Sequence, residues 1–152
     1  MSFLKNSFFN YAAAFSLSLF ALSLTGCGGA PTYDTGLVTG TITLDGSPLE
    51  GARVEFYPEG GSSSNGMTDA SGKYELKYTK STMGAVPGSH SVSITTYDSG
   101  DPDSEPPIAA VPEKVPTKYN TESKLNADVV LGPNEHNFDL ETAGGEVVQP
   151  QE

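Results

Sequence analysis

The residue types that most often carry chemistry are scarce in this chain of 152 residues. It contains one cysteine, Cys27, two histidines, His90 and His136, and one arginine, Arg53. A single cysteine excludes an internal disulfide. Neither histidine has a second ligand at a spacing typical of metal sites, so we expect strand-end or partly buried imidazoles. The sequence therefore predicts a protein that is not an enzyme and has no cofactor.

A second group of candidate ligands is acidic. Oxygen ligands at alternating positions can suit Ca²⁺, and four carboxylates follow one another in this way: Asp98, Asp101, Asp103 and Glu105. Two prolines, Pro106 and Pro107, follow directly, where the calcium loop of an EF-hand would need glycine. The alternatives are an ion site and a solvated loop, and the sequence favours the solvated loop.

The chemistry of Cys27 is suggested by the residues in front of it. Residues 1–26 carry one charge, Lys5, followed by a run rich in Phe, Ala, Leu and Ser, the plan of a secretory signal. The run ends in Leu24-Thr25-Gly26-Cys27, which resembles the lipobox of bacterial lipoprotein signal peptides. The resemblance implies cleavage before Cys27, acyl chains on its sulfur, and an envelope location. Gly28 rather than Asp follows the cysteine, which in such lipoproteins points to the outer membrane more than to the inner one.

The charge of the chain restricts its partners. The formal net charge is −11, and it becomes −12 once Lys5 is removed with the signal segment. Binding to nucleic acid needs clustered Lys and Arg, so no nucleic-acid partner is expected. The acidic domain should also not adhere to anionic lipid by itself, which leaves the acyl chains as the link to the membrane.

The elements that would position any site are short strands. Apolar and polar residues alternate over 38–44 and 52–56, and the turn residues between them predict strand, corner, strand. The same period marks 67–68, 73–78, 90–97, 125–129 and 138–140, while 132–135 is predicted to be a turn. About seven strands with a turn every ten residues or so indicate an antiparallel Greek-key β-sandwich. Its predicted core is Val38, Ile42, Leu44, Val54, Phe56, Tyr74, Leu76, Val92, Ile94, Leu125, Val129, Phe138 and Leu140.

Three stretches of this pattern resemble a known family. Residues 40–56, the run Thr68-Asp-Ala-Ser-Gly-Lys-Tyr74 and the Val86-Pro-Gly88 that precedes a strand are similar to the carboxypeptidase regulatory-like domain, a transthyretin-like or prealbumin-like sandwich. Pro116-Thr-Lys-Tyr-Asn120 is similar to small bacterial lipoproteins built from one such domain. The resemblance implies a fold but no chemistry, because the regulatory domain is not catalytic.

These observations divide the chain into a signal peptide over 1–26, a lipidated flexible tether over 27–36, a β-sandwich over 37–141 and a disordered acidic tail over 142–152. Five prolines in 98–118 predict a long mobile loop. The expected function is that of a membrane-anchored envelope lipoprotein with a structural, adhesive or ligand-binding role. The alternative is a carbohydrate- or peptide-binding accessory module of an envelope enzyme complex. Its glycan-binding surface would be formed by exposed aromatics: Tyr57, Tyr78, Tyr97 and Tyr119.

Overall fold

The computed structural model describes residues 33–150 and contains nine strands and one short 3-10 helix. The predicted signal peptide, Cys27 and most of the tether lie outside the described residues. Within 33–150, no helix is both long and apolar enough to cross a membrane. The elements in chain order are β1 (Gly36–Leu44), β2 (Ser47–Pro48), β3 (Arg53–Pro58), β4 (Ser64–Met67), β5 (Lys73–Glu75), β6 (Gly88–Thr95), the 3-10 helix (Thr117–Tyr119), β7 (Leu125–Val129), β8 (Gly132–Glu135) and β9 (Phe138–Leu140).

The strands form two sheets, which confirms the all-β sandwich class. One sheet is entirely antiparallel, in the order β4-β3-β6-β7. The other is built around β1, which pairs antiparallel with β2 and β5 and parallel with β8 and β9. Thr39 of β1 has Cα partners in both Glu75 and Glu135, so β5 and β8 flank β1 on its two edges.

Residues 132–135 were predicted to be a turn, but in the structure they form β8, a strand that pairs with β1. Gly132 and Pro133 are turn residues by local preference, yet they pair with Gly36 and Leu37 in a parallel ladder. Pro133 donates no backbone hydrogen bond, which is tolerated in an edge strand such as β8. Pairing with a distant strand, which no local pattern reveals, therefore decides the structure of this segment.

The core lies between the two sheets. All of the predicted core residues contribute to it, although Leu44, Leu125 and Phe138 are only half-buried against the buried cluster. Sequence periodicity missed members that come from turns and connections, because those segments do not alternate. The missed members are Leu49, Ala85 and Val115.

The ends of the strands define two ends of the sandwich. At the proximal end, β1 starts at Gly36, β8 starts at Gly132 and β6 starts at Gly88, and their partners in the ladders place these residues side by side. At the distal end, β3 starts at Arg53 beside Thr95, the last residue of β6. The described chain enters at the proximal end, and the long β6–β7 connection, residues 96–124, leaves from the distal end.

The β6–β7 connection is more structured than the mobile loop predicted over 98–118. Its first part folds back as an irregular hairpin, in which Asp98 faces Val111 and Asp101 faces Ile108 through paired backbone hydrogen bonds of 2.8–3.1 Å. Its second part inserts Val115 into the core.

The segment predicted to be a disordered tail also makes contacts. Thr117 N donates to the carbonyl of Glu146 at 2.8 Å, and the Gln149 amide exchanges two hydrogen bonds with the backbone of Glu113 at 2.8 and 3.0 Å. Hydrogen bonds thus join Glu146 and Gln149 to the β6–β7 connection, and the disorder of 142–152 stays a prediction.

Candidate functional site

An open groove of about 530 Å³ runs along the seam where the two sheets meet. Strand β4 of one sheet and the segment after β5 of the other approach each other there. Asn65 and Lys77 exchange backbone hydrogen bonds of 3.0 and 2.8 Å across the seam. Gly66 permits this approach, because a Cβ at its position would lie 2.5 Å from the carbonyl oxygen of Glu75. The groove is lined by Arg53, Asn65, Gly66, Met67, Asp69, Lys73, Tyr74, Glu75 and Lys77.

The turn at one side of the groove is held by Asp69. Its Oδ1 accepts hydrogen bonds from Ser71 N at 2.8 Å, Ser71 Oγ at 2.7 Å and Lys73 N at 3.0 Å. The hydroxyl of Ser71, with the backbone N–H groups of Lys73 and Ser71, lowers the pKa of Asp69. The aspartate is therefore ionised at neutral pH, and its hydrogen-bonding oxygen is occupied by the turn rather than offered to a ligand.

The groove is lined by three cations and two carboxylates, Asp69 and Glu75, so its formal charge is +1 in an acidic protein. Arg53, Lys73 and Lys77 are three of the seven Lys and Arg side chains in residues 33–150. The one ion pair in that range joins Arg53 to Asp98 at 3.7 Å, between side chains that are 44% and 48% exposed, and such surface pairs are weak. The two lysines, with the amide of Asn65, can thus bind a carboxylate or another anionic group of a ligand.

The acidic candidates for a calcium site are used as turn residues. Asp98 Oδ1 accepts from Gly100 N at 2.8 Å, and Asp101 Oδ1 accepts from Asp103 N at 3.1 Å. In the described part of the chain, no three side chains of His, Cys, Asp or Glu come close enough to hold a metal ion. The structure therefore does not gather Asp98, Asp101, Asp103 and Glu105 into one site.

The two histidines pack against one aromatic ring. His90 and His136 each have their ring centroid 5.8 Å from that of Phe56. His90 is 1% exposed and so is more deeply buried than the strand-end position predicted, and its Nε2 donates to the carbonyl of Val86 at 2.8 Å. Three buried atoms around Phe56 lack a hydrogen-bond partner within residues 33–150: Ser64 Oγ, His90 Nδ1 and His136 Nε2. The histidines are therefore part of the core around Phe56.

The four tyrosines of the glycan-binding hypothesis are not brought together. Tyr57 pairs with Ser91 in the middle of β6, and Tyr97 lies beyond the distal end of β6. Tyr119 is half-buried against the core. Tyr78 packs edge-on against Tyr33, with ring centroids 4.8 Å apart. Partial burial and the hydrogen bond to Glu55 raise the pKa of Tyr57 to about 12, so its hydroxyl remains a donor.

A buried carboxylate that the sequence analysis did not identify lies in the β6–β7 connection. Glu113 is 6% exposed. Its carboxylate accepts hydrogen bonds from Thr96 N and Val115 N at 2.9 Å, Lys114 N at 3.0 Å and Thr96 Oγ1 at 2.8 Å, with a further bond from the Thr95 hydroxyl. Burial alone would raise the pKa of Glu113, but these hydrogen bonds outweigh it and lower the pKa. Both carboxylate oxygens of Glu113 are engaged in these hydrogen bonds, so Glu113 has a structural role.

The predicted lipidation site, Cys27, lies outside the described residues and stays a prediction. The groove residues Lys73 and Lys77 were predicted only as outward-facing charges of one strand. Their sequence signal was the alternation of charge with Tyr74 and Leu76. They line the same groove as Arg53 because of the way the two sheets are aligned across the seam. That alignment cannot be predicted from a local sequence pattern.

Comparison with known proteins adds a distant structural neighbour. No protein-family model matches the chain, and no curated protein matches it. Among solved structures, a DUF3823 family protein from Parabacteroides merdae is similar, with a TM-score of 0.39 and 13% identity. The match covers 72% of this chain and 47% of that one, so the chain spans about half the length of that neighbour, which has a β-rich fold. The resemblance to the carboxypeptidase regulatory-like domain stays a prediction.

Proposed function

We propose that this protein is a lipid-anchored envelope protein whose β-sandwich is a non-enzymatic domain with a structural, adhesive or ligand-binding role. The observation that carries the proposal is Leu24-Thr25-Gly26-Cys27, placed directly after an apolar segment and a short way before β1 starts at Gly36. A sequence of this type marks the cysteine for acylation, and two or more acyl chains anchor a protein stably. The outer membrane is the proposed location.

The anchor is tested by replacing Cys27 with serine. Because Cys27 is the single cysteine of the chain, the Cys27→Ser protein should lose all thioether-linked lipid and leave the membrane fraction. Cells expressing each form are labelled with a fatty acid and fractionated, and the protein is followed in pellet and supernatant. Ser91→Ala, an exposed change on β6, is the control and should pellet like the unmodified protein. Unchanged pelleting and labelling of Cys27→Ser would overturn the proposal.

A second candidate function is favoured by the groove. Its two lysines and Arg53 line an open, elongated surface beside the polar Asn65, which suits an acidic glycan or a peptide carrying carboxylates. In this role the domain would be the carbohydrate- or peptide-binding accessory module of an envelope enzyme complex. The tyrosines proposed from the sequence for this purpose are too dispersed to form the binding surface, so the groove replaces them as the candidate.

The groove is tested with a pair of charge-matched variants. The variant Lys73→Glu/Lys77→Glu reverses the charge of the two lysines that line the groove. The control Lys80→Glu/Lys124→Glu makes the same change of net charge at lysines that do not line it. A glycan array with acidic and neutral sugars, and a set of acidic peptides, is probed with all three proteins. Loss of two ionic contacts should weaken binding about tenfold in the groove variant alone. Equal binding by the groove variant and the control would remove the groove as the site.

A further inference from the structure

We infer that the proximal end of the sandwich docks directly on the lipid bilayer, through exposed aliphatic and aromatic side chains that insert among the headgroups. The inference rests on the proposed anchoring through Cys27, and it adds to that anchor a defined orientation of the domain. The docking surface is made of four side chains: Tyr33, Leu37, Val130 and Leu131.

The first observation is the exposure of these residues. Val130 and Leu131 are 61% and 65% exposed, and Leu37 is 50% exposed. Tyr33 exposes 40% of its surface. Ten large apolar or aromatic side chains are exposed in residues 33–150, and these four lie in or next to the strand ends at the proximal end. A group of exposed apolar side chains of this kind marks a site of interaction with a protein or a membrane.

The second observation is that the aliphatic members form one rigid unit. The side-chain Nδ2 of Asn134 donates to the carbonyls of Val130 at 2.8 Å and Leu37 at 3.2 Å, and its Oδ1 accepts from Val130 N at 2.9 Å. Gly36 lies so close to this loop that a Cβ would come within 2.0 Å of the Val130 carbonyl oxygen. The β7–β8 loop is thus fastened to the start of β1, and it presents Leu131 without an ordering cost on binding.

The third observation selects lipid as the occupant. Six peptide units separate Cys27 from Tyr33, and a fully extended chain of that length spans about 20 Å. Acyl chains on Cys27 would therefore hold the proximal end within about 20 Å of the bilayer, whereas the distal end is separated from it by the length of the strands. A tethered surface encounters its partner at high effective concentration, so a modest apolar contact is sufficient for docking.

The charges of the proximal end define the kind of lipid. Asp34, Glu59 and Asp128 lie next to the strand ends there, and Lys77 and Lys80 flank Tyr78, which packs against Tyr33. This end therefore carries both signs of charge and has no excess of cations to attract anionic headgroups. Tyrosines are enriched where proteins meet the membrane–water interface, because their rings are amphipathic. The partner we infer is the interfacial region of a zwitterionic bilayer.

The absence of tryptophan from the chain permits a direct test with single-tryptophan reporters. Leu131→Trp places the reporter on the docking surface, and Ile108→Trp, at a site that is 58% exposed in the hairpin of the β6–β7 connection, is the matched control. Each full-length lipidated protein is reconstituted into phosphatidylcholine vesicles with and without brominated acyl chains. Val130→Trp is a second reporter on the docking surface.

The expected result is about twofold quenching of the tryptophan at 131 by brominated lipid with a blue-shifted emission, as for a side chain inserted about 5–10 Å into the interface, and unchanged emission at 108. Equal emission at both positions in protein that sediments with the vesicles would overturn the docking and retain the anchor. Failure to sediment would overturn the anchor and with it the docking. A blue shift at 131 that grows with protein density and is insensitive to bromine would identify a second copy of the chain as the occupant and overturn lipid docking.

Discussion

The strand framework and the β6–β7 connection of this domain are held together by different forces. In the framework, the ladders satisfy the backbone and alternating apolar residues fill the space between two sheets, with Phe56, Ile42, Leu76 and Ile94 fully buried. In the connection, residues 96–124, one buried carboxylate organises the backbone, and two adjacent residues, Val115 and Pro116, are fully buried. Stability is distributed over many side chains in the first region and concentrated on Glu113 in the second.

The two ways of stabilisation, distributed packing and one buried carboxylate, predict which substitutions each region tolerates. A periodic core loses stability in proportion to the apolar volume removed. A region organised by one carboxylate responds little to most substitutions and strongly to the loss of that carboxylate, because each stranded N–H then carries its own desolvation cost. We therefore expect the largest effects from the framework core, smaller ones from Glu113, and the smallest from the exposed hairpin.

Removal of Phe56 should break the framework. Its ring is fully buried and contacts His90, His136 and Phe138. Phe56→Ala should lower the free energy of unfolding by about 3–5 kcal/mol, the range for a buried aromatic. Glu55→Ala, the adjacent residue on the other face of β3, should cost less than about 0.5 kcal/mol. Urea melts of both proteins decide the matter, and equal losses would show that the side chains of β3 face the opposite way.

Removal of the Glu113 carboxylate should loosen the connection with a smaller global effect. Glu113→Ala strands the backbone N–H groups of Thr96 and Val115, while that of Lys114 keeps its hydrogen bond to Thr96 Oγ1. We expect a loss of about 2–3 kcal/mol, given about 1–3 kcal/mol for an unsatisfied buried group and partial rescue by water. Hydrogen exchange should quicken at Thr96 and Val115 and stay slow in β3.

The matched control is Glu122→Ala. This carboxylate is exposed, and its contact with the Thr117 hydroxyl is 3.4 Å long. Its removal should change the free energy of unfolding by less than about 0.5 kcal/mol. A Glu113 variant as stable as the Glu122 variant would mean that the connection does not depend on the buried carboxylate.

The same carboxylate should make the domain sensitive to acid. The pKa of Glu113 is lower in the folded protein than its ordinary value of about 4.3. Its contribution to stability is therefore complete above that pH and is lost as the pH falls through the lower pKa of the folded state. Thermal melts between pH 7 and pH 3 should show a steeper decline for the unmodified protein than for Glu113→Gln. Parallel curves would contradict the assignment.

The smallest expected effect is a change in where proteases cut. A mobile loop over 98–118, as predicted from the sequence, would be cut near its lysines, Lys114 or Lys118, but the backbone N–H of Lys114 is bound by Thr96 Oγ1 and Glu113. The exposed stretch of the connection is instead its hairpin, where all residues from 105 to 112 are exposed. Mild proteinase K digestion should cut within 99–112 and leave both termini associated, and trypsin should leave Lys114 intact. Early tryptic cleavage at Lys114 would show that the hydrogen bonds of Glu113 do not protect this segment.

The sequence was informative where structure follows from local alternation. Most buried apolar residues of β1, β3 and β6 were predicted, because a period of two transfers directly to one face of a sheet; the exceptions are Leu44, which is half-buried, and His90, which is more buried than predicted. The features it did not predict all depend on residues distant in the chain: the strand at Gly132–Glu135, the hydrogen bonds of Glu113 and the groove cations. Glu113 in particular is preceded and followed by residues without any periodic pattern, so nothing local distinguishes it from the exposed glutamates.

The candidate site shows the same limit. Lys73 and Lys77 were identified as outward-facing, but their meeting with Arg53 needs the seam between β4 and the segment after β5. The acidic group from Asp98 to Glu105 was recognised as a cluster from its spacing alone. In the structure Asp98 and Asp101 serve separate turns of the hairpin, because proximity along a chain does not make side chains converge.

The position of β1 has a consequence for the order of folding. This first strand pairs with β8 and β9, and hydrogen bonds join residues that are 96 or 97 positions apart. Contacts of such long sequence separation slow folding, since a large loop must close before they form. While a growing chain still lacks residues 132–140, β1 can pair only with its antiparallel neighbours β2 and β5. Its parallel pairing with β8 and β9 forms only after these last strands are present. The sheet around β1 should therefore be completed only when nearly all of the polypeptide is present. If the proposed envelope location holds, this delay would suit export of the chain across a membrane before it folds.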